Sequence, residues 1–180
     1  MYFFVPHNLA PIQQAIQAGH AALEYVRRFG LTPDLTSFMD NDKTWIILNG
    51  GTTNSTLDDL DKPLGTLDLI HEDLWTTGID HSIFHEPDLN NALTAVCFLV
   101  DERVWDYETY PEFSDWLFDV KMYKPVKDAT PTQNQSWIGK LKTEELNIIF
   151  PEYLDEWVKT ILGNRKNLFL RDLLRSKKLA

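Results

Sequence analysis

The chain has 180 residues, 43% apolar and 24% charged, with Trp 6, Tyr 6 and Phe 10, the composition of a folded soluble domain with one core. No apolar run approaches the ~20 residues of a bilayer span, and the first residues lack the basic start and long apolar middle of a signal peptide, so no membrane contact and a cytoplasmic location are expected. The net charge of -10 is uneven: residues 164–180 carry six Lys or Arg against one Asp, or +5, leaving -15 for the rest, and an acidic body argues against broad, non-specific nucleic-acid binding.

Tyr2-Phe3-Phe4-Val5 reads as a first strand. A helix follows from Pro11, whose missing N–H suits a first turn, to a stop at Gly30. Within it Ile12, Ile16 or Ala15, Gly19 or Leu23, and Val26 recur at three- and four-residue spacings, which predicts that this stripe faces a core. Gln17, His20 and Glu24 share a neighbouring face.

Residues 43–49 predict a second strand ending at Gly50-Gly51. Residues 63–77 predict a helix with Leu64, Leu67, Leu74 and Trp75 near one stripe and Gly78 as its stop. A hairpin comes next: 79–85 as a strand, 87–91 as the turn, and 93–100 as a central strand covered on both faces. Cys97, the single cysteine, lies in this apolar run and reads as a buried small hydrophobe. The order strand, helix, strand, helix, strand, strand predicts an α/β layered fold, a small mixed β-sheet flanked by helices, over residues 1–101.

Residues 102–180 predict a mainly helical extension. Phe113, Trp116, Leu117 and Val120 have helical spacing, as do Leu154, Trp157, Val158, Ile161 and Leu162 ahead of Gly163, and 125–135 reads as a loop. Tyr107, Tyr110, Phe113, Trp116, Phe118, Tyr123 and Trp137 stand among acidic neighbours rather than basic ones, so they read as core or as a protein interface, not a base-stacking platform. Arg171, Arg175, Lys177 and Lys178 read as the solvated, dipole-matched end of a last helix.

The run Ala15-Ile16-Gln17-Ala18-Gly19-His20-Ala21-Ala22 resembles the first-helix signature Gln-x-x-His-Ala of type-II (archaeal and eukaryotic) peptidyl-tRNA hydrolases, and a closing hairpin with Thr94 in a small apolar run is similar as well. The resemblance covers about residues 1–101 and implies a peptidyl-tRNA hydrolase II-like fold and hydrolysis of the ester joining a peptide to tRNA. That chemistry needs a positioned water, a proton acceptor and donors facing the oxyanion. The resemblance implies Gln17, His20, Thr94 and Asp88 as catalytic residues, tRNA as partner, and no metal or other cofactor. The sequence departs from the family at Gln13, where a Gly-Lys stretch would place a cation; Lys43 and Lys62 are the candidates to supply one from elsewhere.

Read from the residues alone, His20 is a helix residue packed under a loop with one nitrogen hydrogen-bonded, and Gln17 a polar residue that satisfies a nearby backbone group. His81 and His85 share a strand face with Glu86 and Asp88 close by, but no second metal-type cluster meets them, so solvent-facing histidines are expected. Gly50-Gly51 lacks the ending of a phosphate loop, and Ser82, Ser114 and Ser136 lack the glycines of a nucleophile elbow. Two functions follow as expectations. One is a peptidyl-tRNA hydrolase-like esterase. The other is a non-catalytic accessory module, of a kind suited to a phage or bacterium, that binds a small nucleotide-like ligand or a protein partner through the acidic, aromatic-rich extension.

Overall fold

The computed structural model describes residues 1–52, 65–122, 145, 148, 150–175 and 177–180. The predicted Leu64, the loop at 125–135, Lys62, Tyr123 and Trp137 lie outside them. Contacts divide the chain into two compact units, Met1–Val100 with Leu173–Ala180, and Asp101–Asp172.

The first unit is α/β. Strand β1 (Tyr2–Val5) leads into α1 (Pro11–Phe29), α2 (Pro33–Ser37), β2 (Ile46–Asn49), α3 (Thr66–Thr76) and the hairpin β3 (His81–Glu86) and β4 (Ala92–Phe98). The four strands form one mixed sheet in the order β2-β1-β4-β3, with β1 and β2 parallel and β4 antiparallel to both of its neighbours. All seven residues of β4 are buried, as its continuous apolar run predicts. Phe3, Val5, Ala95 and Cys97 pack with Ala18, Ala21 and Tyr25 of α1 on one face. Leu67, Ile70 and Leu74 of α3 are buried, and α3 packs on β4 and β3, with Leu67 close to Phe4. Gly50 is where that approach is tightest: a β-carbon there would lie 2.7 Å from Leu67 Cδ1.

Helix α1 begins and ends where expected. Pro11 occupies the first turn, the Gln13 side chain accepts from the Ala10 N–H, and Gly30, at φ 66, donates to the Val26 carbonyl. Its core face is not the predicted one. Ile12, Ile16 and Leu23 are 70%, 48% and 73% exposed, while Gln14, Gln17, Ala18, Ala21 and Tyr25 are buried. The period was legible and the phase was reversed. Alanines let the helix backbone lie close on the sheet, and the buried glutamines are satisfied: Gln14 Nε2 donates to the Pro6 and Leu9 carbonyls.

Other boundaries shift for local reasons. Residues 43–45 are not strand, because Lys43 adopts a left-handed conformation (φ 52) that ends a π-turn over Phe38–Asp42. That turn continues α2, a helix the sequence reading omitted although Thr32 caps it and Pro33 opens it. Trp75 is exposed rather than core. The hairpin turn is a 3₁₀ turn, Pro87–Leu89, closed by Asn90 and Asn91 at φ 52 and 58. The C-terminal residues return to this unit: Leu179 bridges Leu48, Asn49 N–H donates to the Lys178 carbonyl and Ala180 N–H to the Ile47 carbonyl, covering the β2 edge.

The second unit contains α4 (Glu102–Trp105), α5 (Phe113–Trp116), α6 (Pro151–Trp157) and most of α7 (Arg165–Arg175), making seven α-helices among the described residues. Helices α5 and α6 run on into π-turns, Leu117–Met122 and Val158–Leu162. Phe113, Trp116, Leu117, Leu154, Trp157, Val158 and Leu162 form its core, so these aromatics serve packing. Arg171 corrects the reading of the basic tail as a solvated face, since it is fully buried. Its guanidinium donates to the carbonyls of Arg103, Tyr110 and Pro111.

Candidate functional site

Two of the four predicted site residues meet. Thr94 would face the α3 side if β4 alternated regularly, but the pairing runs Phe84 with Ala95 and then His85 with Leu93, leaving Thr94 as the extra residue of a bulge. The bulge turns its hydroxyl toward α1, a device found beside sites. Thr94 Oγ1 donates to Gln17 Oε1 at 2.7 Å, and Gln17 Nε2 donates to Glu86 Oε2 at 2.6 Å. The carboxylate only accepts, so it fixes which way the Gln17 amide lies. The result is a directed chain from hydroxyl to amide to carboxylate, joining α1, β3 and β4.

The acid of this cluster is Glu86, not Asp88. Asp88 stands exposed in the hairpin turn, and its backbone N–H reaches Glu86 Oε1 at 3.4 Å. His20, one turn beyond Gln17, is exposed, and its ring rests on Phe84 with centroids 4.4 Å apart. Among the described residues no Lys or Arg forms an ion pair with Glu86. Gln13 is engaged at the start of α1, as given above. Cys97 is fully buried, and desolvation raises its thiol to about 12, so it is packing rather than a nucleophile. The Ser82 hydroxyl is bound to the Ala21 carbonyl at 2.6 Å.

A second polar cluster lies on the α3 side, and the sequence reading missed it. His81 was expected to face solvent but is only 2% exposed. Its Nδ1 is 2.7 Å from the Ile79 carbonyl, and its Nε2 is 2.7 Å from His71 Nδ1. Burial, foremost, lowers the pKa of both rings; for His71 the neighbouring His81 lowers it further. Arg28, Asp68, His71, Glu72, Trp75 and Ile83 line a cleft of about 460 Å³. The available signal was Asp68-x-x-His71-Glu72-x-x-Trp75, whose spacing puts all four on one face of α3. Among the described residues no group of three or more His, Cys, Asp or Glu is arranged to hold a metal ion. No helix among them is long and apolar enough to cross a membrane.

Comparison with protein-family models finds no match for this sequence, and a search of the curated proteins finds none either.

Proposed function

We propose that the first unit is a peptidyl-tRNA hydrolase-like domain, with Gln17, Glu86 and Thr94 as its site and His20 at the rim. The reading is carried by one observation: residues 69 and 77 positions from Gln17 converge on its amide, Thr94 through a bulge. These are the residue of the first-helix motif and the threonine of the last strand in the resemblance, with Glu86 taking the acidic place. In the proposed step Glu86 accepts a proton from water as the water oxygen attacks the ester carbonyl. The tetrahedral intermediate then expels the 3′ oxygen of the tRNA, which takes the proton back from Glu86 and restores the carboxylate. Thr94 holds the Gln17 amide in one orientation, and the amide hydrogen not given to Glu86 is the donor for the developing oxyanion. Purified protein should release labelled peptide from peptidyl-tRNA, and Glu86→Gln should reduce release by about 10²-fold or more. No release at stoichiometric enzyme would sink the proposal.

A second reading is favoured by the lack of an ion-paired cation at this cluster among the described residues. With Gln13 where the family has lysine and no ion pair to Glu86 among the described residues, a binding module of the same architecture would hold an acylated RNA end, a nucleotide-like ligand or a protein without turnover. Saturable binding of uncleaved peptidyl-tRNA, weakened by His20→Ala, would support it over the esterase.

A further inference from the structure

The cleft lined by α3, β3 and the end of α1 has its own chemistry, independent of the cluster around Gln17. The hydrogens of its two histidines can be assigned. The Ile79 carbonyl only accepts, so His81 Nδ1 carries a hydrogen and donates it. In the neutral ring, His81 Nε2 is then an acceptor, and the hydrogen between the two rings belongs to His71 Nδ1. In the neutral ring His71 Nε2 is then an acceptor. The lowered pKa of both rings is consistent with this neutral chain.

The carboxylates add to this set of acceptors. Asp68 Oδ2 is buried and has no hydrogen-bond partner among the described residues, an unusual condition for a buried carboxylate oxygen. Asp68 stands in the first turn of α3, where the helix N-terminus balances charge, but charge balance does not supply the missing donor. Glu72 lies one turn further along the same face. The single guanidinium is partly committed, with Arg28 Nη1 donating to the His81 carbonyl at 3.2 Å and its carbon over the Phe29 and Trp75 rings at 5.2 and 5.9 Å. Among the described residues, two carboxylates against one guanidinium leave the lining net negative. Trp75, 62% exposed, and Ile83 supply an apolar wall.

Unmatched acceptors, net negative charge and an indole beside them fit one ligand class. The geometry points to a binding site for an organic ammonium: a protonated amine whose N–H groups meet Asp68 Oδ2 and His71 Nε2 and whose apolar stem lies on Trp75 and Ile83. An anion would meet two carboxylates, and a neutral ligand would leave the charge of the lining unused.

The test uses three probes with the same ring. Benzylamine is cationic at neutral pH, benzyl alcohol is neutral and benzoate is anionic. Binding to the full chain is followed by titration calorimetry and by the imidazole NMR signals of His71 and His81, which localise it against non-specific attraction to the acidic surface. Benzylamine should bind saturably, shift His71, and bind at least about tenfold more tightly than benzyl alcohol. Asp68→Asn should remove most of that preference. Trp75→Ala, at an exposed position that spares the fold, should weaken benzylamine several-fold. Absence of a saturable His71 shift, equal affinity for the alcohol, or affinity unchanged in both variants would overturn the proposal.

Discussion

Each unit buries a polar side chain nearly completely, and the partners differ in kind. Arg171 of the second unit is bound to three backbone carbonyls, stands 4.0 Å from the Glu112 carboxylate and lies under the Tyr107 ring at 4.6 Å, so it staples the end of α4 to the chain that leads into α5. Gln17 of the first unit is bound to two side chains, Thr94 and Glu86, neither of which needs it to complete its backbone. A buried group spent on backbone carbonyls serves the fold. A chain of side chains drawn from three elements holds a carboxylate in one orientation, which is a property of sites.

This contrast has measurable consequences, the largest in the second unit. Arg171→Leu removes the guanidinium donors from the Arg103 and Tyr110 carbonyls, while the Pro111 carbonyl keeps the Trp157 indole N–H at 3.1 Å, so it should destabilise that unit by about 3–5 kcal/mol in urea unfolding followed by tryptophan fluorescence, with Trp157 as a neighbouring reporter. Arg171→Lys keeps the charge without the planar fork and should recover less than half of the loss. A cost below about 1 kcal/mol would mean that the carbonyls find water and that Arg171 is no staple.

Thr94→Val leaves Gln17 Oε1 without its donor in a buried place and should cost about 1–3 kcal/mol. Glu86→Gln, half-buried and near-isosteric, should cost less than Thr94→Val in the same unfolding measurement while lowering esterase activity by about 10²-fold or more. If both variants lose stability and activity in parallel, the Gln17 chain is a staple too and the contrast with Arg171 dissolves.

Helix α1 sets the limit on what was legible in the sequence. Its ends, the order of the strands and of the long helices α1 and α3, and the buried β4 could be expected from local pattern, and the resemblance named Gln17 and Thr94 together without implying that they bond to each other. The inward face of α1 could not be expected, because a hydrophobic stripe identifies a core face only when the helix packs through large side chains. Here Ala18 and Ala21 set the distance to the sheet, and Ile12, Ile16 and Leu23 are left outside. Thr94 needed the bulge, and a one-residue change of register carries no mark in composition. The carboxylate that meets Gln17 is two residues ahead of Asp88, because the turn at 87–89 takes Asp88 outward. Overpacking measures the phase directly. Ala18→Leu should cost about 1–3 kcal/mol, whereas Leu23→Gln should change stability by less than about 0.5 kcal/mol. The reverse order would restore the outer stripe as the core face.

The smallest effect separates the two units by pH. A guanidinium keeps its proton across the accessible range, so the Arg171 staple should not respond to mild acid. The His71 and His81 pair should. Both rings have folded-state pKa values below the ordinary 6.5, so under acid the unfolded chain binds more protons than the folded one, and stability falls as pH drops through and below that value. The loss continues until the folded rings themselves protonate, after which both states carry the charge. Thermal unfolding of the first unit at pH 7.5 and 5.5, a window above most carboxylate titration, should show a lower midpoint in acid. His71→Gln with His81→Gln should flatten that difference and leave the second unit's midpoint unchanged. Equal midpoints in the parent chain would mean that the pair is not held neutral, and the hydrogen assignment that leaves His71 Nε2 as an acceptor would fall with it.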